Sequence, residues 1–302
     1  MTSATGARQL GLIGSAIGWG SSRRIGAAGA RLLYRNGLAG RLNAAGIAAE
    51  WRAFVEESPD SGDAGDAAPD VALGHVADHC MRVAGAVVAT VADGYVPVTL
   101  GGDNSGSIGH YAGLAAALPG VRPFGVIWID AHPDANSWDS SPSKCAHGMV
   151  VSTITGHGPD VLPRPAAGTI PPAAVAMVGI RSVDPGEQRF IAAHDLHVTT
   201  AMEAQAQGLA TAIARALQIA TTDTAGFGLS IDLDAIDPAQ APGVAFPEAD
   251  GLDADALCEA LAGIGLHPGF LGLEVSEFAP EFDVDGQTEL LVERLIRSVF
   301  TR

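Results

Sequence analysis

Basic residues are scarce in this chain. Its 302 residues carry 17 lysines and arginines against 34 aspartates and glutamates, a formal net charge of −17. Nucleic acid and anionic membrane surfaces both recruit proteins through basic patches, so neither is expected as a partner. Binding of cations suits the balance better. Cysteine is scarcer still: Cys80, Cys145 and Cys258 are odd in number and widely spaced, with no CxxC pair. That usage excludes a disulfide framework and fits a reducing cytoplasm. Long apolar runs are missing. The longest, VAGAVVATVA at 83–92, is far short of the roughly 18 residues that a membrane span needs. The first residues, MTSATGARQLGLIGSAIGWG, hold one arginine and an apolar run broken by glycine, and do not read as a signal peptide. A dinucleotide fingerprint is also absent: GSAIGWGSSRRIGAAG contains no GxGxxG. Arg23 and Arg24 within it are read as solvated loop residues, with a place at the rim of a site as the alternative.

What is present is apolar and regularly punctuated. Hydrophobic residues make up 47% of the chain and charged ones 17%, enough to bury a large core. Runs at 9–15, 96–100, 124–130, 174–180, 196–200, 227–232 and 270–275 are nearly continuous in apolar residues, as strands covered on both faces are. Helical patterns fall between them at 27–36, 73–92, 106–118, 186–194, 202–219, 253–264 and 287–300. Strand and helix in alternation predict one α/β domain over 1–302, with a mostly parallel sheet and helices on both sides. The acidic segment 58–70 and the Gly/Pro-rich segment 156–174 read as surface loops. Ligands of such sheets bind beyond the carboxyl ends of the strands, and there the chain is acidic.

After FGVIWI comes DAHPDAN. In an extended segment, Asp130, His132 and Asp134 would point the same way. After FGLS comes IDLDAIDP, with Asp232 and Asp234 at the same spacing; Asp237 reads as a turn residue. Four carboxylates at one sheet edge repel unless cations lie between them. Oxygen donors mixed with imidazole favour Mn2+ ahead of Mg2+ or Zn2+.

At these residues the chain resembles a known family. DAHPDAN, SIDLDAIDP and EVSEFAP look like the three signatures of the ureohydrolases (arginases, agmatinases and relatives), over a stretch from about residue 10 to the C-terminus. The resemblance implies an arginase-like three-layer α/β/α domain around about eight strands, holding two manganese ions per subunit. It implies that Asp130 and Asp232 bridge both ions, that Asp134 completes one, and that His132 with Asp234 completes the other. The remaining ligand in the family is a histidine in a Gly-Gly-Asp-His loop. Here the loop reads GGDN, and the position is Asn104. An amide oxygen is a weaker donor than imidazole, so that ion is expected to bind weakly. His110, well into the following helix, is not a substitute.

The reaction implied is hydrolysis of a guanidino group, releasing urea and an amine. By resemblance, His147 in CAHGM protonates the leaving amine and Glu277 in SEFAP pairs with the guanidinium, with Asp134 also among the catalytic carboxylates. Glu274 falls on the opposite strand face from Glu277. Asn136 and Ser143 match residues that bind an α-carboxylate. Asp184 and Glu187 match those that face an α-amino group, although DPGE is also a sound helix start. An L-arginine-like substrate is therefore expected. The alternatives are another guanidino compound (Nω-hydroxy-L-arginine, agmatine or a guanidino acid) and a non-catalytic binding protein of arginase fold. The resemblance further implies a homo-oligomer, trimer or hexamer. Cys145 is read as incidental packing.

Overall fold

The computed structural model describes residues 8–58, 68–118, 120 and 122–302. Most of the acidic segment expected as a surface loop therefore lies outside the described residues. Eight strands form one sheet: β1 (Leu10–Ser15), β2 (Ala49–Val55), β3 (Val96–Leu100), β4 (Gly125–Ile129), β5 (Val175–Ile180), β6 (His197–Thr200), β7 (Phe227–Asp232) and β8 (Phe270–Ser276). Their order is β2-β1-β3-β8-β7-β4-β5-β6, and every pairing is parallel.

Side chains on the central strand β4 alternate between two cores. On β4, Val126 and Trp128 face one side, and Ile127 and Ile129 the other. The first side is covered by α3 (Pro69–Ala92), α4 (Gly106–Ala117), α5 (Val150–Ile154) and α6 (Pro185–His194). The second is covered by α1 (Ala27–Arg35), α2 (Leu38–Ala44), α7 (Ala201–Gln207), α8 (Leu209–Thr221), α9 (Ala254–Ala260) and α10 (Gln287–Phe300). This is the three-layer architecture expected.

Several elements differ from the sequence reading: the short helices α2 and α5 were not expected, nor was one strand, and one expected helix is broken. The strand β2 did not stand out because it lies at the sheet's edge: Glu50 is exposed and Arg52 pairs with Glu50 and Asp93, so AEWRAFV is not an apolar run. The single helix expected over 202–219 is two, α7 and α8. Gly208 at φ 86° breaks the ladder between them.

The central strands β3, β8, β7 and β4 all end at one edge of the sheet. A parallel sheet thereby gathers onto one floor residues that lie about 170 positions apart, such as Asn104 and Ser276.

Candidate metal centre

The strand β3 runs into Gly101 and Gly102, at φ 78° and 83°. A Cβ at 101 would meet the Ala30 nitrogen at 2.4 Å, and one at 102 the Ser15 carbonyl at 2.5 Å. Only glycine permits so tight a turn beneath β1 and α1. The turn delivers Asp103 and Asn104. Asp103 is structural: its Oδ2 accepts from Gly20 N at 2.8 Å, and its Oδ1 accepts from the nitrogen and Oγ of Ser105. Burial, helped by the charge of Glu277, pushes its carboxyl up to about 6.

Asn104 is fully buried, and its carboxamide is satisfied on every side. Oδ1 accepts from Ser107 Oγ at 2.9 Å and Ser276 Oγ at 3.1 Å. Nδ2 donates to Asp134 Oδ2 at 2.5 Å and Asp130 Oδ2 at 3.2 Å.

Beyond β4 and β7 the acidic residues converge. His132 Nδ1 lies 3.1 Å from Asp234 Oδ2 and 3.5 Å from Asp130 Oδ1. One donor atom from each of the three lies within 4.8 Å of the others. Two carboxylates and an imidazole so grouped fit a divalent cation. Asp134 follows Pro133 at φ 47°; it is not one of the trio, but it lines the same cleft as His132, and its carboxylate meets the Asn104 Nδ2 that also reaches Asp130.

The electrostatics carry the same message. Burial, then neighbouring carboxylates, push Asp130 up to about 7 and hold Asp134 and Asp232 well above the usual range. Asp234 is lowered, because the charge and hydrogen bond of His132 outweigh its burial. His132 is raised: burial opposes, and the two aspartates outweigh it. Packed carboxylates driven toward neutrality are what a dication relieves.

A cleft of about 280 Å³ opens over this floor. His132, Asp134, Asp232, Asp234, His147 and Glu277 line it, as do Asn136, Ser143, Asp184 and Glu187. Among the described residues that line it there is no lysine or arginine, so a cationic ligand is favoured. Glu277 follows β8 at φ 62°, and its Oε1 accepts from Asn104 N and faces His147 Nδ1 at 3.6 Å. The His147 imidazole is raised well above its ordinary value; burial opposes, and Cys145, Glu277 and Asp134 outweigh it. Conversely the Cys145 thiol is lowered, because contact with His147 outweighs its burial. Glu274 sits on the other strand face, within the core, bonded to Ser230 Oγ at 2.9 Å. His110 is packed away from the floor, its Nδ1 on Thr99 Oγ1 at 2.8 Å.

At the rim, Asn136 Nδ2 donates to Asp184 Oδ2 at 3.0 Å. The Glu187 oxygens accept from Ala135 N at 3.1 Å and Asp184 N at 2.9 Å, so this residue both lines the cleft and caps α6. Two arginines make contacts that join distant segments. Arg23 is exposed, as a solvated loop residue would be, and it also stands at the rim: it lies over the Phe246 ring at 5.0 Å, beside the cleft, and donates to Ala245 O. Its aromatic platform comes from a segment about 220 residues away. Arg181 donates to the carbonyls of Asp234, Ala235, Glu248, Ala249 and Gly179. The one signal for it was an arginine set directly after a fully buried strand.

Comparison with known proteins gives a consistent result. Residues 8–301 match the family model described as the arginase family. An arginase of Bacillus caldovelox is 34% identical over 230 residues, 74% of this chain and 75% of that protein. An arginase of Brevibacillus brevis is 32% identical over 243 residues, 76% of each. The solved structure of the B. caldovelox arginase superposes with a TM-score of 0.88 at 28% identity, covering 98% of this chain and 99% of that one.

Proposed function

Because the chain belongs to the arginase family, we propose that it hydrolyses the guanidino group of L-arginine, releasing urea and ornithine at a centre that takes Mn2+. The observation that carries this reading is the convergence of Asp130, His132 and Asp234 beneath a cleft whose walls present Glu277 and His147.

Asp130, His132 and Asp234 would hold one divalent cation, and Asp134, Asp232 and Asn104 form the adjoining half of the centre. When bound, such cations supply Lewis acidity and make water acidic enough to be a nucleophile near neutral pH. The protein's own residues do the rest. The Glu277 carboxylate receives the guanidinium and fixes its plane, so that the central carbon faces the floor. The oxygen of water adds to that carbon, and the bond from carbon to the substrate's chain nitrogen breaks. The nitrogen leaves as an amine once protonated. His147, whose Nδ1 faces Glu277 at 3.6 Å, is placed to give that proton. Asn136 and Ser143 at the rim suit an α-carboxylate, and Asp184 and Glu187 an α-ammonium group, which together favour a whole amino acid over its decarboxylated form.

Asn104 supports a second reading. A weaker donor set suits a more reactive guanidine such as Nω-hydroxy-L-arginine. A purely binding role is disfavoured, because a binder has no need of a proton donor at His147. We place the protein in the cytoplasm as a homo-oligomer. Support for the first comes from its free thiols; no described helix is long and apolar enough to cross a membrane.

The test is a panel of arginine, Nω-hydroxy-arginine, agmatine and guanidinobutyrate with excess Mn2+, read by release of urea or hydroxyurea. Arginine is expected to be turned over fastest. Release from none of the four would overturn the hydrolase reading.

A further inference from the structure

The Asn104 side chain does more than stand in as a poor ligand. Its nitrogen, not its oxygen, faces the floor. The donor end of the amide is directed to carboxylate oxygens of Asp134 and Asp130, while two serine hydroxyls satisfy the other end. Both amide hydrogens and both oxygen lone pairs are used. To offer its oxygen to a cation, the amide must turn over. It then loses both hydrogen bonds to carboxylate oxygens, and both serines must reorient. Those serines also contact the buried Glu274, so the turn would disturb a network that reaches Ser230 and Tyr111. On the other side of the floor, Asp130, His132 and Asp234 stay grouped with no side-chain amide between them; among the described residues, only the backbone N–H groups of His132 and Ala131 donate there, to Asp130 Oδ1 and Asp234 Oδ1.

We propose that this centre holds one dication tightly, on Asp130, His132 and Asp234, and that the Asn104 N–H groups take the place of a second cation between Asp130 and Asp134. The inference rests on the reading of the floor as a metal centre and deepens it. The neutral amide draws the two carboxylates together as a cation would, through two partial charges instead of a full one. A second cation enters only by displacing those bonds, and so binds at least about tenfold more weakly than the first.

The experiment is titration of the chelator-stripped full chain with Mn2+ alone, followed by calorimetry and by electron paramagnetic resonance. One tight site per chain is expected, with the resolved six-line signal of an isolated Mn2+. Asn104→His, checked for folding by circular dichroism, is expected to add a second site and to replace that signal with the broad spectrum of a coupled pair. Two wild-type sites within tenfold of each other, with a coupled spectrum, would overturn the proposal and leave the metal centre standing. No binding at all would overturn both. The wild-type stoichiometry decides the matter even where the variant fails to fold. If the variant folds and gains no site, the assignment to Asn104 is overturned.

Discussion

Arg181 Nη2 donates to the carbonyl of Asp234 at 2.6 Å, and so steadies a metal-facing loop through its backbone and not its carboxylate. The same guanidinium reaches the carbonyls of Glu248 and Ala249, binding together the two loops that flank His132. Lysine keeps the charge but cannot span several carbonyls at once. Arg181→Lys is therefore expected to weaken Mn2+ binding by roughly tenfold or more, the usual scale for groups that orient ligands. Calorimetric affinity checks this, with circular dichroism as the control. An unchanged affinity would remove Arg181 from the centre.

His147 and Glu277 face each other but are expected to fail in different kinetic terms. His147→Ala should lower kcat by about a hundredfold or more with KM little changed, because a proton donor acts in the transition state. Glu277→Gln removes the charge that receives the guanidinium. Hydrogen bonds to charged groups are worth about 1.5–3 kcal/mol, so KM should rise by about ten- to a hundredfold. Steady-state kinetics on the same substrate separate the two, and equal changes in both parameters for both variants would contradict the assigned roles.

The rim makes a prediction about selectivity. Ser143→Ala and Asn136→Ala should reduce kcat/KM for arginine by about tenfold and leave agmatine, which has no carboxylate, nearly unaffected. A parallel fall for both substrates would mean that these side chains only shape the loop. That outcome is conceivable for Asn136, which is bonded to Asp184 and Ser140, and Ser143 is the cleaner probe.

Acid stability should report two histidines remote from the chemistry. His79, on Ser15 Oγ at 3.0 Å, and His110, on Thr99 Oγ1, are both buried, and burial pushes each down to about 3. Each folded-state value lies below the unfolded one of about 6.5. The unfolded chain therefore binds more protons as pH falls through this window, and stability present above about 6.5 is lost on the way toward 3. The limiting slope is about 1.4 kcal/mol per pH unit for each histidine. His110→Gln should flatten the fall in melting temperature between pH 6.5 and 5 relative to wild type. Taking the difference cancels the site carboxylates, whose raised values act in the opposite sense. Parallel curves would show that His110 is already charged in the fold.

Much of the site was legible because its chemistry is written in short local strings. DAHPDAN and IDLDAIDP each place their carboxylates directly after a buried run, and in a parallel sheet the ends of central strands meet. The exceptions have specific causes. The strand β2 was missed because an edge strand half open to water need not be apolar. Arg181 was missed because its partners are backbone carbonyls, which leave no mark near the arginine in the chain.

Composition and order of residues alone determined the alternating α/β layers, the acidic sheet edge and the asparagine at position 104. Apolar periodicity and strand-end carboxylates are local properties, and folding does not alter them. Which end of the Asn104 amide meets the aspartates was decided only by tertiary structure. Ser107 comes from the helix just after it and Ser276 from a strand more than 170 residues later, and only the fold sets both hydroxyls against the oxygen and both carboxylates against the nitrogen.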